Sequence, residues 1–299
     1  MPGVMAAMRK SLFEAIRQTV FMGPAVLVYV TILLIPLLLG LYYSMTDWDG
    51  ASSSYSWVGF GNYKEAMLDD PDFVYSFWFT IKMTLVIALL MNLIGFGLAF
   101  LLTKKLRFRN LWRAVFFLPN VLGGLILGFL WNFIFTKVFE AIGEATNWPL
   151  FAIAWLGNEH TAFWSLVIVS VWHGLGYVMI IYIAGLVNIP TEIREAAQID
   201  GATGWQSLTR ITLPLIMASV TICLFWTISS TLRIFDLNYS LTAGGPFGST
   251  ESVAMNIYYE AFRDNNFGLG SAKAVIFFLV VVVITAVQVV LTKRKEVEA

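Results

Sequence analysis

Polar and aromatic side chains inside long apolar stretches are the first residues whose chemistry requires an explanation. Residues 160–191 and 211–232 contain no Asp, Glu, Lys or Arg, yet both stretches carry polar uncharged and aromatic side chains. A hydroxyl can donate and accept hydrogen bonds, and tyrosine offers a flat apolar face with one hydroxyl at its rim. The residues of interest are Gly174, Tyr177, Thr227, Ser230 and Thr231.

The residues alone leave two interpretations of this set open. Polar groups within a membrane usually face the interior of a helix bundle or a water-filled cavity, where they could bind a polar solute. Alternatively, the serine and threonine hydroxyls bond to the backbone of their own helix, and Gly174 lets a neighbouring helix approach closely. His173 has the same two alternatives, a bond to a neighbouring helix or a place along the solute path.

The composition argues against several other kinds of chemistry. The chain of 299 residues has one cysteine, Cys223, and two histidines, His160 and His173. We therefore expect no internal disulfide, no metal site and no catalytic residues. Lys and Arg total 19 and Asp and Glu total 19, so the net charge is zero, which argues against nucleic-acid binding.

The elements that position these residues follow from the distribution of charge. Apolar residues make up 58% of the chain and charged residues 13%, about half the charged fraction of a soluble domain. Six runs without charge are each about long enough for a helix to cross a bilayer. The sequence thus predicts an all-α integral membrane protein with six transmembrane helices, two of them kinked at Pro36 and Pro119. The predicted spans are residues 20–45, 77–102, 112–136, 162–187, 212–235 and 271–292.

The orientation of the spans is predicted by the basic residues. With six spans both termini lie on one side, and that side holds 13 of the 19 basic but only 6 of the 19 acidic residues. The positive-inside rule places this side in the cytoplasm. We expect a multi-pass protein of the cell (inner or plasma) membrane. Its parts are a cytoplasmic segment 1–19, a transmembrane domain 20–292 and a cytoplasmic tail 293–299.

The cytoplasmic loop 188–213 has the local signals of a short, sturdy helix. Thr191 can serve as its N-cap, and Gly201 fits a left-handed C-terminal cap. A second short helix is predicted at 205–210, and Pro214 then opens the fifth span. Such a projection could enter a groove of a partner protein, or it could be no more than an amphipathic connector between two spans.

A motif in this loop resembles a known family. Glu195-Ala196-Ala197, three residues, Gly201, nine residues and Ile211-Thr212-Leu213-Pro214 resemble the EAA signature of ABC importer permeases, without a gap. Further similarity lies in residues 59–63 (GFGNY), Arg113 with Phe116-Phe117-Leu118-Pro119, and residues 241–246 (LTAGGP). Together these resemble the carbohydrate-uptake subfamily, specifically the first of its two permease subunits, over about residues 18–295.

The resemblance implies a type I ABC importer permease fold and a set of partners. Such a chain pairs with a second homologous permease, with two copies of a cytoplasmic ATPase and with an external solute-binding protein that delivers the sugar. ATP and Mg would be bound in the ATPase, and this chain would be no enzyme and hold no cofactor. Its sequence has no G-x-x-x-x-G-K-[ST] loop. The coupling helix that meets the ATPase would carry Glu195, Ala196, Ala197, Asp200 and Gly201.

The resemblance also implies a route for the sugar. In the family the sugar site lies on the spans before and after the coupling loop, which places Gly174, Tyr177, Thr227, Ser230 and Thr231 at sugar-contact positions. Thr231 stands where an amide is expected, so the substrate could differ from that of the maltose-type subunits.

Other functions remain as alternatives to a sugar importer. Within the same family the alternative is an importer of a phosphorylated polyol such as glycerol phosphate, for which arginines such as Arg233 would be needed. A proton-coupled secondary transporter predicts carboxylates within the membrane and internal symmetry, and neither is evident in the sequence. A membrane-embedded hydrolase would need a nucleophile and base or a metal site.

Overall fold

The computed structural model describes residues 17–104 and 106–296, with the side chain of Arg194 left out. Within these residues the secondary structure is helical apart from one isolated antiparallel bridge between Thr46 and Trp57. The helices are α1 Arg17–Tyr43, α2 Gly61–Lys64, α3 Pro71–Leu102, α4 Arg109–Phe117, α5 Gly124–Thr146, α6 Glu159–Val187, α7 Thr191–Ile199, α8 Gly204–Leu215, α9 Met217–Leu232, α10 Asp236–Leu241, α11 Val253–Tyr258 and α12 Phe267–Lys293.

Five of these helices are long and apolar enough to cross a membrane, namely α1, α3, α5, α6 and α12. A sixth span is formed if α8 and α9, which meet at an angle of 71°, are counted together. The prediction of an all-α membrane protein is confirmed, and each of the six predicted regions is mostly helical.

Two predicted spans differ from the structure in their detail. The region 112–136 is not one helix, because α4 ends at Phe117, a 3₁₀ turn covers Leu118–Val121 and α5 begins only at Gly124. Pro119 therefore marks a break rather than a kink within a span. The reason is local, since Pro119 has no N–H to continue the helix and Leu122 and Gly123 adopt extended conformations.

The fifth span is bent rather than straight. Pro214, predicted to open this span, lies instead in the last turn of α8, two residues before the bend at Ile216. Proline cannot donate a backbone hydrogen bond within the helix, which weakens α8 at this point. Ile216 N still donates to Thr212 O at 3.1 Å, so the chain turns without losing every local bond.

The chain divides into two compact units, which are described separately. The first comprises the described residues of Met1–Asp69 and Glu260–Val275. Its loops are held by the Asn62 amide, which donates to the carbonyl oxygens of Ser44 at 3.0 Å and Thr46 at 2.8 Å. Lys273 is fully buried and pairs with Glu260, which satisfies an ammonium that would otherwise be costly to bury.

An exposed loop of the first unit carries a strongly acidic carboxyl. The hydroxyl and N–H of Ser52 and the N–H of Ala51 all donate to Asp49, and they lower its pKa to about 2. Asp49 is therefore charged at any physiological pH, and it closes a turn of the loop between α1 and α2.

The second unit comprises the described residues of Asp70–Tyr259 and Ile276–Ala299, and it holds the main hydrophobic core. Helix α3 begins where the Asp70 side chain accepts a hydrogen bond from Phe73 N, and Pro71 follows at the first helical position. Phe79 packs on Phe163 and Phe96 packs on Tyr182, so α3 and α6 run parallel.

Close approach of the helices is allowed by small residues. A Cβ atom at Gly95 of α3 would lie 2.8 Å from Val178 Cγ1 of α6, and one at Gly176 would lie 2.5 Å from Phe117 Cα. Between membrane helices van der Waals packing rather than the hydrophobic effect favours association, so such contacts matter. The helices α3, α6 and α9, with the break between α4 and α5, thus form a fixed frame for the polar residues.

Candidate functional site

The loop between α6 and α9 folds as a pair of short helices with well-defined ends. The predicted helix is present as α7, but Pro190 occupies its N-cap and Thr191 is its first residue, so Thr191 is not the cap. At its C-terminus Gly201 has a φ of +72°, as predicted for a left-handed cap. Ala202 N donates to Ala197 O at 3.0 Å, and Gly201 N donates to Gln198 O at 3.1 Å, which completes a Schellman motif.

The second helix of the loop has its own cap. Thr203 Oγ1 accepts from Gln206 N at 3.3 Å, and Gln206 Oε1 accepts from Thr203 N at 2.9 Å, which is a capping box. Helix α8 then continues through a π turn over Ser207–Thr212 to its end at Leu215, farther than the predicted 205–210. The C-terminus of α7 and the N-terminus of α8 are thus both capped, which fixes the turn between the two helices.

The surface of this projection contains the residues of the EAA motif and two that the sequence analysis missed. Glu195, Ala196, Asp200 and Gly201 are exposed, whereas Ala197 is buried. Ile199 is 85% exposed and Trp205 is 73% exposed, which leaves two large apolar side chains on a polar loop. Large apolar residues exposed on a polar loop are typical of a protein interface, and their position in a short polar loop was the signal available in the sequence.

A polar cavity of about 260 Å³ lies within the second unit. Its walls come from α3, α6, α9 and the segment leading into α10. Asn132 of α5 donates to Leu241 O at 2.7 Å, which fixes α10 against α5 and holds this segment in place. The residues that line the cavity are Met91, Gly124, Ser170, His173, Gly174, Trp226, Ser230, Thr231, Arg233, Ile234, Phe235, Asp236 and Leu237.

Three of the five residues predicted along the sugar path line this cavity together. Gly174, Ser230 and Thr231 are on its wall, although Ser230 Oγ also donates to Trp226 O at 2.7 Å. A Cβ atom at Gly174 would lie 2.6 Å from Met91 Cε, so this glycine is needed for packing as well. For Gly174 and Ser230 the geometry thus supports both a place along the solute path and a structural role, in helix packing for Gly174 and in a backbone hydrogen bond for Ser230.

The other two predicted residues lie beside the cavity. The Tyr177 ring packs on that of Trp226, with ring centroids 4.4 Å apart, and Trp226 in turn forms the cavity wall. Thr227 has no exposed surface, and its hydroxyl donates to Cys223 O at 2.7 Å. Tyr177 therefore supports the wall, and Thr227 joins α9 to α3, where Asn92 donates to its hydroxyl at 3.4 Å.

Ser170 is a cavity residue that the sequence analysis missed. It is 7% exposed, and its Oγ has no hydrogen-bond partner among the described residues. An unpaired buried hydroxyl costs about 1–3 kcal/mol, so a solute or a water that bonds to it would recover this free energy. The available signal was its spacing, since Ser170 precedes Gly174 by four residues and lies on the same helix face.

The charged groups of the cavity are Arg233 and Asp236. Arg233 Nε donates to Ser229 O at 2.9 Å, which fixes the guanidinium near the end of α9. The cavity thus holds one cation and one carboxylate, which together bear no net charge. Such a site offers hydrogen bonds to hydroxyl groups and an indole face to C–H groups, with no excess field for an anion.

Comparison with known proteins agrees with this architecture. Residues 91–297 match the family described as binding-protein-dependent transport system inner membrane component. The chain is 43% identical to a probable starch degradation products transport system permease protein, AmyD of Thermoanaerobacterium thermosulfurigenes, over 98% of this chain and all of that one. It is 32% identical to the multiple sugar-binding transport system permease protein MsmF of Streptococcus mutans, over 88% of this chain and 90% of the relative.

The fold is also that of a solved transporter chain. The structure of a bacterial alginate ABC transporter, in complex with its alginate-bound periplasmic protein, matches with a TM-score of 0.76 over 95% of this chain and 97% of that one. At 18% sequence identity this likeness concerns the fold alone. The type I importer fold and the resemblance to ABC importer permeases are confirmed, and the chain belongs to the binding-protein-dependent transport system inner membrane component family.

Proposed function

We propose that this chain is the membrane permease of an ATP-driven importer of sugars or oligosaccharides. The observation that carries the proposal is the cavity of about 260 Å³, which combines the Trp226 face with the hydroxyls of Ser170, Ser230 and Thr231. Aromatic faces pack against the C–H faces of a sugar ring, and hydroxyls replace the hydrogen bonds that the sugar loses with its water. Relatives named for sugar transport support the proposal.

The substrate we propose is a neutral oligosaccharide of glucose, such as a product of starch breakdown. The relative AmyD is described as a permease for starch degradation products. Asp236 in the cavity offsets the charge of Arg233, which makes the site a poor one for glycerol phosphate. A phosphorylated polyol is therefore the second candidate. The sequence shows no evident internal symmetry, which argues against a secondary transporter.

The proposed coupling to ATP hydrolysis uses the projection formed by α7 and α8. The EAA residues Glu195, Ala196, Ala197, Asp200 and Gly201 would seat in a cleft of one of two ATPase subunits. Exposed Ile199 and Trp205 would supply the apolar anchors of that contact. In this proposal ATP and Mg are bound in the ATPase, while a second homologous permease and an external solute-binding protein complete the importer.

The proposed topology keeps both termini in the cytoplasm of the cell. Segment 1–19, domain 20–292 with its coupling loop 188–213, and tail 293–299 keep their predicted places in this proposal. Cys223 is buried, so single cysteines introduced elsewhere can be labelled with little background. A membrane-impermeant thiol reagent applied to intact cells should label Trp148→Cys but not Lys104→Cys. Labelling of Lys104→Cys from outside would contradict the topology.

The experiment that tests the function is uptake by the complete importer in vesicles. We expect uptake of labelled maltotriose to require ATP and the solute-binding protein, and glycerol phosphate not to be taken up. A Trp226→Ala variant should lose most of the uptake while the complex still assembles, whereas Trp148→Ala, altered outside the cavity, should transport normally. ATP-dependent uptake of glycerol phosphate but not of maltotriose would favour the second candidate.

A further inference from the structure

A second polar cavity, of about 580 Å³, lies in the second unit where α3 and α6 begin. Its walls include the rings of Trp78 and Phe163 and the side chain of Lys82. The Lys82 ammonium lies 4.7 Å from the centroid of the Phe163 ring. The proposed sugar path does not use this lysine.

The position of Lys82 within the span makes its charge costly. Trp78 lies one turn nearer to the start of α3, and tryptophan side chains usually mark the boundary between headgroups and hydrocarbon. Lys82 is therefore one turn deeper than this boundary, about 6 Å by the rise of an α-helix. An ammonium at that depth needs an anion or a path back to water.

The cavity offers more donors than Lys82 alone. Ser249 is 8% exposed and lines the cavity, and its Oγ has no hydrogen-bond partner in the described part of the chain. An anion in the cavity would meet the Lys82 ammonium and the Ser249 side chain.

Other titratable groups at this cavity are Glu159 and His160. Both are exposed and lie in the first turn of α6, and Glu159 precedes Phe163, the ring beneath the ammonium, by four residues. Glu159 is thus about one turn above Lys82, at the mouth of the cavity. The cavity thus carries one cation, Lys82, at its inner part and one carboxylate, Glu159, at its mouth.

The surface of α3 below the cavity is purely aliphatic. Leu85, Leu89 and Leu93 lie on the face of Lys82 and each is more than 60% exposed. From Lys82 to Leu93 the helix rises about 16 Å, which is about half the thickness of a hydrocarbon core. A ligand that fits both regions has an anionic end and a long apolar chain.

We infer that this cavity binds one anionic phospholipid. Its phosphate accepts hydrogen bonds from Lys82 Nζ and Ser249 Oγ, its glycerol region lies between Trp78 and Trp164, and an acyl chain follows Leu85, Leu89 and Leu93. A sugar would leave the aliphatic stripe uncovered, and free phosphate would leave the aromatic walls uncovered. The site is separate from the sugar path, so the proposed function can fail without affecting this inference.

The test is lipid retention by the purified membrane complex, measured by native mass spectrometry. After delipidation the complex is offered phosphatidylglycerol, phosphatidylcholine or inorganic phosphate. We expect the wild type to retain about fivefold more phosphatidylglycerol than phosphatidylcholine. Lys82→Gln should abolish this preference, Lys82→Arg should keep it and Ser249→Ala should reduce it. Lys64→Gln removes the same charge at a residue that does not line the cavity and should behave as the wild type.

Three results would overturn the inference. The first is an unchanged phosphatidylglycerol preference in Lys82→Gln. The second is displacement of the lipid by inorganic phosphate at equal concentration, which would show a simple anion site. The third is efficient cross-linking of Trp78→Cys to another subunit, because a protein would then occupy the cavity. If Lys82→Gln does not assemble, the deciding comparison is that of phosphatidylglycerol retention by Ser249→Ala and by Lys64→Gln. Equal retention by these two variants overturns the inference.

Discussion

His173 Nε2 donates to the carbonyl oxygen of Leu122 at 3.1 Å, and this bond joins the middle of α6 to the break between α4 and α5. At the break Leu122 has an extended backbone, and its carbonyl oxygen accepts this bond from a side chain instead of a helical N–H. His173 therefore has a structural role in the frame of the cavity, while one side of its ring also lines the cavity. His173, for which the sequence left two roles open, thus helps to fix the walls of the cavity.

Replacement of His173 should therefore lower stability. His173→Leu removes the donor to Leu122 O, and such a bond contributes about 0.5–1.5 kcal/mol net. We expect the melting temperature of the purified complex to fall by about 2 °C or more. His160→Leu, at the exposed start of α6, is the matched control and should melt as the wild type does. Equal melting temperatures for both variants would contradict the structural role of His173.

Gly201 should be more sensitive to substitution than Gly204, three residues along the same loop. A Cβ atom meets no neighbour at either position, but only Gly201 has a positive φ, at which a side chain costs about 1–2 kcal/mol. We expect Gly201→Asp to reduce sugar-stimulated ATP hydrolysis severely while the spans remain inserted, and Gly204→Ala to reduce it little. The measurement is ATPase activity of the reconstituted importer, and equal activity of both variants would show that the loop is only a connector.

Trp205 should contribute strongly to binding of the ATPase. Truncation of an interface tryptophan commonly costs 2 kcal/mol or more, which is about a 30-fold loss of affinity. We expect Trp205→Ala to release the ATPase subunits during purification, which gel filtration would detect. Trp148, also exposed but outside the loop, serves as control. Retention of the ATPase by Trp205→Ala at high dilution would refute this role.

Substitution of Ser170 should affect substrate binding, whereas substitution of Thr227 should affect stability. Ser170→Ala removes the hydroxyl of a cavity residue, unpaired among the described residues, so KM for sugar-stimulated ATP hydrolysis should rise about 2- to 10-fold while the melting temperature does not fall. Thr227→Val removes a buried hydroxyl outside the cavity and should lower the melting temperature with KM unchanged. The reverse pattern would mean that the sugar follows another route.

Much of the fold could be predicted from the sequence because the signals were local or compositional. Charge-free runs predicted every spanning region, and the left-handed cap at Gly201 followed from its position after an alanine-rich helix. The break at Pro119 was missed because a proline in an apolar run fits both a kink and a helix end. Extended backbone at Leu122 and Gly123 decides between them, and the sequence alone does not reveal it.

The site could be predicted only in part because it depends on helix rotation. Sequence spacing places Thr227 and Thr231 on one face of α9, yet Thr227 is turned towards Asn92 and Thr231 towards the cavity. Ser170 and Asp236 come from different helices, and their meeting in one cavity is a result of tertiary packing. Trp205 was visible in the sequence, but its exposure could be known only from the folded loop.

The central claim is that this cavity is the path of the sugar. Its most direct test is whether the sugar protects a cysteine in the cavity from a thiol reagent. In the complete importer, a cysteine at Ser230 should react with a small thiol reagent, and saturating maltotriose should slow this reaction about threefold or more. A cysteine at Thr136, outside the cavity, should react at the same rate with and without the sugar. Sugar transport with no protection at Ser230→Cys would contradict the claim that this cavity is the path of the sugar.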